Sequence, residues 1–273
     1  MPNDKFFKFY NMFTVLKREF KLKKLMNMKV QKAKSSQLNK IDLTKIQNEE
    51  KTDYAGIEEL WKNEKLLNNY NRDIVHKLSK FSTQNSKVLE FGAGLGTLAK
   101  LWQSEKNNKP ECLEIDASLR KLLLGRGFLC HKTLEEINKT YDLIYTSNVL
   151  EHIKDDVSVL KKLNKKIKVN GCLAIYVPAF MFLYNHLDSS VGHYRRYEKK
   201  ELIEKLLLAN FRIKECYYSD SIGFFTWLFV RSKGTDSKLK FYDKFIYPFS
   251  NLLDSTGFKY LFGKNLIVIA QKQ

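Results

Sequence analysis

Residues 88–100 read Val-Leu-Glu-Phe-Gly-Ala-Gly-Leu-Gly-Thr-Leu-Ala-Lys, a short apolar run that carries one acid and opens directly into three alternating glycines. Val88 and Leu89 suit a strand buried on both faces, and Gly92, Gly94 and Gly96 allow a tight turn whose backbone approaches a ligand that a Cβ would exclude. Thr97 to Gln103 continues as a helix. The spacing is G-x-G-x-G, with Glu90 just ahead of it. It departs from the G-x-G-x-x-G of dinucleotide-binding units, where the third glycine serves helix packing, so it points away from a nicotinamide cofactor.

Working outward, Glu111-Cys112-Leu113-Glu114-Ile115-Asp116 forms the next strand. It places Glu114 24 positions beyond Glu90, where a βαβ unit sets an acid on ribose hydroxyls. A ribose-bearing ligand is therefore expected. Tyr141 to Asn148 is a third strand-like run, followed by Val149-Leu150-Glu151-His152-Ile153. Either capping of the next helix, where Asp155 and Asp156 complement the dipole, or site chemistry fits Glu151 and His152.

With these features in order, the chain from about Tyr54 to its C-terminus resembles the class I S-adenosylmethionine-dependent methyltransferases, of the bacterial type 11 and 12 groups. The resemblance implies that Glu90 to Gly96 wraps the methionine part of the cofactor and that Glu114 holds its ribose. It also implies that Ile115 packs on adenine and that Ser147 and Asn148 floor the sulfonium. Many members place an acid after the third strand to bind the adenine amine. This chain has Cys130-His131-Lys132-Thr133-Leu134 instead, so Thr133 or a main-chain group is the expected substitute.

The rest of the pattern is an alternation of strands near 87–91, 111–115, 127–131, 141–146, 172–177, 211–218 and 265–270 with helices near 95–104, 117–125, 154–166 and 198–208. Seven strands so interleaved imply an α/β fold, a doubly wound, Rossmann-like and mostly parallel sheet with ligands at its C-terminal strand ends. One helical face, from Ile57 through Trp61 and Tyr70 to Phe81, precedes the first strand. By the resemblance such a helix covers the cofactor, so Tyr54 or Trp61 joins a lid, with core packing the simpler role for Trp61. The expected organisation is a basic amphipathic extension and linker over 1–53 and a methyltransferase domain over 54–273 with an aromatic insert at about 221–263.

The chain has 273 residues and a net charge of +18. Half of that excess falls in residues 1–40, where eleven Lys and Arg face two acids and Phe6, Phe9, Tyr10, Phe13, Leu16 and Phe20 recur at helical spacing. A basic helix with an aromatic face reads as a binder of anionic membrane surfaces. The same charge fits nucleic acid, though no recognisable nucleic-acid module accompanies it. Packing on its own domain is the third reading. The four scattered cysteines show neither metal-ligand spacing nor a disulfide framework, and no metal is expected. The N-terminus lacks the apolar run of a cleavable signal, so the expectation is a cytoplasmic chain, peripheral on the inner membrane face. The longest apolar stretch, Ile222–Val230, is far short of the ~20 residues of a membrane span.

After Pro178 the chain enters a loop that ends Gly192-His193-Tyr194-Arg195-Arg196-Tyr197, with Leu187-Asp188 upstream. It is similar to a segment of bacterial methyltransferases whose relatives accompany glycosyltransferases in surface-glycan or lipid-linked sugar pathways. A hydroxyl acceptor must lose a proton, and histidine suits that work. His193 is the first candidate base and His152 the second. Arg195 and Arg196, with Tyr197, are the candidates for gripping an anionic acceptor. The expected activity is O-methylation of a sugar, lipid-linked or quinone-type small molecule. An RNA or protein methyltransferase is the alternative enzyme, and a catalytically silent binding or membrane-adaptor protein on the same fold is the alternative of another class.

Overall fold

A computed structural model describes residues 56–228 and 235–273. The basic extension at 1–53, Tyr54 and the end of the apolar stretch from Phe229 lie outside the described residues. Two helices lead in, α1 (Ile57–Leu66) and α2 (Asn68–Leu78). The single helical face read from the sequence is thus broken at Leu67, whose ψ of 55° interrupts the helix. There follow β1 (Val88–Phe91), α3 (Thr97–Lys106), β2 (Glu111–Leu113), α4 (Ala117–Gly125), β3 (Cys130–His131), β4 (Tyr141–Ser147) and α5 (Asp156–Lys166). Then come β5 (Ile167–Pro178), α6 (His186–Ser190), α7 (Lys199–Leu208), β6 (Phe211–Ser219), α8 (Ser221–Leu228), α9 (Asp236–Phe241), α10 (Tyr247–Asp254) and β7 (Asn265–Lys272).

The seven strands form one sheet in the order β3-β2-β1-β4-β5-β7-β6, parallel except for β7, which runs antiparallel between β5 and β6. This is the mostly parallel, doubly wound sheet expected from the sequence. The order reverses between β1 and β4, so the two loops leaving these strands part and open a crevice at their C-terminal ends. The Lys168–Gly171 turn lies inside β5, not ahead of it. The pairing of β4 with β5 slips between Tyr141 and Leu143, and the extra residues bulge out before Cys172 resumes the register.

Both faces of the sheet are covered, which is why its central strands read as continuous apolar runs. Leu173, Ile175 and Val177 of β5 point to a core shared with Leu160 and Leu163 of α5 and Leu202 and Leu206 of α7. Cys172, Ala174 and Tyr176 face the opposite core, with Ile74 and Val75 of α2, Trp102 of α3 and Tyr247 of α10. Trp102 is wholly buried and stacks on Tyr145 at 4.5 Å between centroids. Cys112, Cys130, Cys172 and Cys216 are free thiols in strands, as their scatter in the sequence suggested.

The aromatic insert between β6 and β7 is tied to the sheet by acids. Asp254 at the end of α10 accepts hydrogen bonds from the Asp220 amide at 2.7 Å, from Ser221 Oγ at 2.6 Å and from Ser219 Oγ at 3.2 Å, and pairs with Lys77 of α2 at 3.3 Å. Asp243 takes the amides of Asn69 and Tyr70. Packing of the insert onto its own domain is therefore what these residues do. Asp254→Ala would take the acceptor from four donors, the Ser221 amide included, while Lys77 keeps Asp73 at 2.6 Å, and urea unfolding should show a loss of about 3–5 kcal/mol, the scale for breaking one side of a buried pair.

Candidate active site

The crevice is framed by the turn after β1. The amides of Gly92 and Ala93 both donate to Leu113 O, at 2.9 and 3.1 Å, which ties the turn to β2. Gly92 has φ of +76°, and a Cβ on it would lie 2.4 Å from Val149 Cγ2. Gly96, at φ of +77°, would meet Leu123 Cδ2 at 2.5 Å. No other residue type fits either position. Gly94 sits between them, half-exposed, and faces Leu60 of α1. Helix α1 is fastened over the turn by Glu64, which accepts from Thr97 Oγ1 at 3.1 Å and pairs with Lys100 at 2.8 Å and Arg126 at 3.0 Å. Burial opposes the charge of Glu64, but these two cations hold its carboxyl below the usual range. Leu60 belongs to the helical face read from the sequence, whereas Glu64 carried no signal there. Trp61 is half-buried between Arg126 and Lys65, not in the main core.

The two acids flanking the turn sit in different surroundings. Glu114, nearly buried at the end of β2, accepts the Gly94 amide on Oε2 at 2.7 Å and the Asp116 amide on Oε1 at 3.0 Å. Each oxygen thus keeps lone-pair capacity for a hydroxyl donor. Ile115 beside it is 77% exposed, an apolar side chain standing free at the rim, and Thr133 is half-buried just past β3. Glu90 lies deeper. It is buried beneath the turn and accepts from Tyr145 Oη at 2.9 Å. Burial pushes its pKa up to about 8, against the bond from Tyr145 and with the help of Glu114. Its contact with the crevice runs through the turn above it.

From β4 the chain leaves through Ser147, half-buried, and Asn148, exposed with φ of +53°. Val149 seats against Gly92, and one helical turn, Leu150–His152, follows. Glu151 is wholly buried, with neither carboxylate oxygen hydrogen-bonded, and burial raises its pKa to about 8. The solvated capping role is excluded for it, and Asp155 caps α5 through the Ser158 amide at 3.1 Å. His152 is half-buried, and its pKa is lowered to about 4 by burial and by His193.

The loop after β5 returns over this turn, anchored by Tyr194 N to Glu151 O at 2.8 Å and by Tyr197 N to Pro178 O at 2.8 Å. It brings the His193 ring edge-on to that of His152, 4.6 Å between centroids. His193 Nδ1 bonds to Asp188 Oδ1 at 2.8 Å, and its Nε2 lies 3.8 Å from Glu151 Oε1. The two candidate histidines, 41 positions apart in the chain, thus meet, together with two acids whose part the sequence did not disclose. Leu187-Asp188 and Glu151-His152 were the available signals.

The arginines are a correction. Arg196 is 3% exposed, and its Nε donates to both oxygens of Asp188 at 3.0 Å while its plane covers Trp227 at 4.8 Å. Arg195 pairs with Asp156 at 2.7 Å and donates to Lys154 O at 2.8 Å. Tyr197 is fully buried, with its hydroxyl on Asp156 Oδ2 at 2.7 Å. Arg196 and Tyr197 are thus buried against acids and not exposed at the crevice, and Arg195, part-buried, pairs with Asp156. These three residues order the loop that presents His193.

Two outcomes follow. Glu114→Ala should weaken binding of S-adenosylmethionine by about 1–3 kcal/mol in calorimetry, the scale of an unmade buried hydrogen bond. Because Glu90 titrates at 4.5 when unfolded and near 8 when folded, folding takes up a proton between these values. The stability from its neutral form is complete below 4.5 and is lost as pH rises to about 8. Glu90→Gln should flatten this decline, read as unfolding midpoints across that range.

The model of the family described as a methyltransferase domain matches residues 63–216, more than half of the chain. No curated protein matches the sequence significantly. Among solved structures, the chain is similar to the Haloferax volcanii methyltransferase in complex with the Trm112 methyltransferase activator, with a TM-score of 0.56 and 10% identity over 81% of this chain and 98% of that one. It is similar to a SAM-dependent methyltransferase from Archaeoglobus fulgidus, with a TM-score of 0.52 and 18% identity over 78% of this chain and 94% of that one. It is also similar to phosphoethanolamine N-methyltransferase 2 of Haemonchus contortus in complex with S-adenosyl-L-methionine, with a TM-score of 0.53 and 16% identity over 73% of this chain and 52% of that one. At these identities the solved structures speak for the fold, and the family match speaks for the chemistry: the chain belongs to the methyltransferase domain family, as a class I S-adenosylmethionine-dependent methyltransferase.

Proposed function

We propose that the chain methylates a hydroxyl oxygen on a lipid-linked acceptor, a sugar or quinone-type head group on an apolar tail, at a membrane surface. The observation that carries this reading is a run of phenylalanines leading away from the acceptor loop. Phe180, the second residue past β5, stacks on Tyr218 and touches Phe182 and Phe224. Phe224 continues to Phe225 and Phe262, and Phe262 to Phe258. The outer members are solvent-facing: Phe182 is 65% exposed and Phe225 49%, with Met181, Leu228, Tyr260 and Leu261 exposed around them. Aromatic surface of this kind beside a site suits an apolar tail, with the polar head left at the crevice. No helix among the described residues is long and apolar enough to cross a membrane, so contact is with the surface.

On the cofactor side, the turn of Gly92, Gly94 and Gly96 receives the methionine part, supported from below by Glu90. Glu114 accepts from the ribose, Ile115 covers adenine with Thr133 at its edge, and Ser147 and Asn148 floor the sulfonium. Methyl transfer is an in-line displacement: the acceptor oxygen bonds the methyl carbon as the carbon–sulfur bond breaks and its electron pair returns to sulfur. The chain's work is to hold the two in line, exclude water and activate the hydroxyl. His193, fixed by Asp188, and His152 are the activating groups.

His193→Ala should lower turnover by roughly 10²- to 10⁴-fold with cofactor affinity unchanged. Methyl-labelled cofactor supplied with fractionated extract of the source cell should put label in the organic-soluble fraction, and label confined to RNA or protein would reject the reading. Phe182→Ser combined with Phe225→Ser should reduce flotation with anionic vesicles while leaving cofactor affinity unchanged.

A further inference from the structure

Under the acceptor loop three side chains with ligating atoms converge. One oxygen of Glu151 and one ring nitrogen from each of His152 and His193 all lie within 4.8 Å of one another. Two features single this group out from a chance meeting of polar residues.

The first is the state of Glu151. Its side chain is fully buried, yet both oxygens lack a hydrogen-bond partner. A buried acceptor left unmade costs about 1–3 kcal/mol, more for a charged group, and such groups are few in folded proteins. The other buried acids of this rim are all satisfied: Asp156 by Tyr197, Lys205 and Arg195, and Asp188 by His193, Arg196 and the Asn185 amide. Glu151 alone points unspent oxygens at imidazole nitrogen, with His193 Nε2 at 3.8 Å, too far for a hydrogen bond.

The second is the support behind the histidines. His193 Nδ1 bonds to Asp188, which Arg196 grips on both oxygens. A neutral imidazole that donates from Nδ1 to a carboxylate leaves its Nε2 lone pair facing outward, which is how metal-bound histidines are oriented and made more basic. The His152 ring bonds the Gly192 main chain, and the two rings stand edge to face. Bonds near 2.0–2.2 Å to one ion would require these three atoms to draw closer together than they stand.

We propose that Glu151, His152 and His193 form a two-histidine, one-carboxylate site for a single first-row divalent cation, with open positions facing the crevice. Two imidazoles favour zinc, cobalt, iron or nickel over magnesium, which prefers oxygen. No spacing along the chain reveals it, because the ligands come from the end of β4 and from the loop after β5. The inference deepens the reading of this cluster as the acceptor-activating site. A bound cation would acidify a coordinated hydroxyl, whose proton then leaves to water instead of resting on an imidazole.

The test is a titration of untagged, chelator-treated full-length protein with cobalt(II), followed by visible absorption and calorimetry without cofactor or acceptor. One cobalt per chain is expected, displaced by zinc and not by a large excess of magnesium. Glu151→Gln keeps the shape and removes the charge, so it should fold and bind S-adenosylmethionine as the wild type does, yet weaken cobalt by more than 100-fold. Asp188→Asn, acting through His193, should weaken it 10- to 100-fold. His186→Gln, at an exposed histidine outside the cluster, should change nothing. Absence of cobalt bands, or equal affinity in wild type and Glu151→Gln, would overturn the site. Because the readout needs no methyl transfer, that failure would leave the O-methyltransferase reading standing, and failure to methylate any hydroxyl would leave cobalt binding standing.

Discussion

At the base of the crevice the turn after β1 packs directly on Val149, just past β4, with no room for a side chain at Gly92, and Leu123 of α4 closes the same turn at Gly96. This steric limit sets the geometry of everything above it. It fixes the path of the turn, so that the Gly94 amide reaches Glu114. It also seats Val149, and through it the turn that carries Glu151 and His152. The cofactor side and the acceptor side are thus built on one contact. A displacement at either would be transmitted through packed groups with no slack to absorb it.

Around that contact the rim is organised by buried carboxylates. Asp188 orders the His193 loop through Arg196, Asp156 ties the same loop to α5 and α7 through Arg195, Tyr197 and Lys205, and Asp254 locks the insert to β6 and α2. Buried ion pairs of this kind add little net stability compared with apolar packing, but removing one partner is costly, so they act as fixed joints. Against this background Glu151 stands apart, as the buried acid of this rim whose carboxylate oxygens have no hydrogen-bond partner.

The insert sorts its aromatics by chemistry. Tyr242 and Tyr247 turn inward, where Asp220 and Asp73 accept their hydroxyls. Phe225, Phe241, Phe245, Phe249 and Phe258 have no polar tip to satisfy and face outward. A buried hydroxyl needs a partner and a phenyl ring does not, so the acids draw Tyr242 and Tyr247 into the core while Tyr260 stays at the surface with the phenylalanines.

Much of this molecule was legible in the chain. Period and composition gave the seven strands and the helices α3, α4, α5 and α7 between them, but not α6 or the insert helices α8, α9 and α10, because buried parallel strands need unbroken apolar runs and surface helices need a 3.6-residue stripe. The alternating glycines and the spacing from Glu90 to Glu114 gave the crevice, since only glycine turns so tightly there. What required the fold was every partnership between distant residues. Arg196 and Tyr197 looked like an exposed grip for an anion, and only burial beside Asp188 and Asp156 shows them to be joints. Leu67 breaks α1 from α2 where the helical stripe runs on. His152, His193 and Glu151 meet because strand order brings the ends of β4 and β5 side by side. A local sequence sets local backbone preferences, whereas desolvation and ion pairing depend on which residues become neighbours, and that is decided when the sheet assembles.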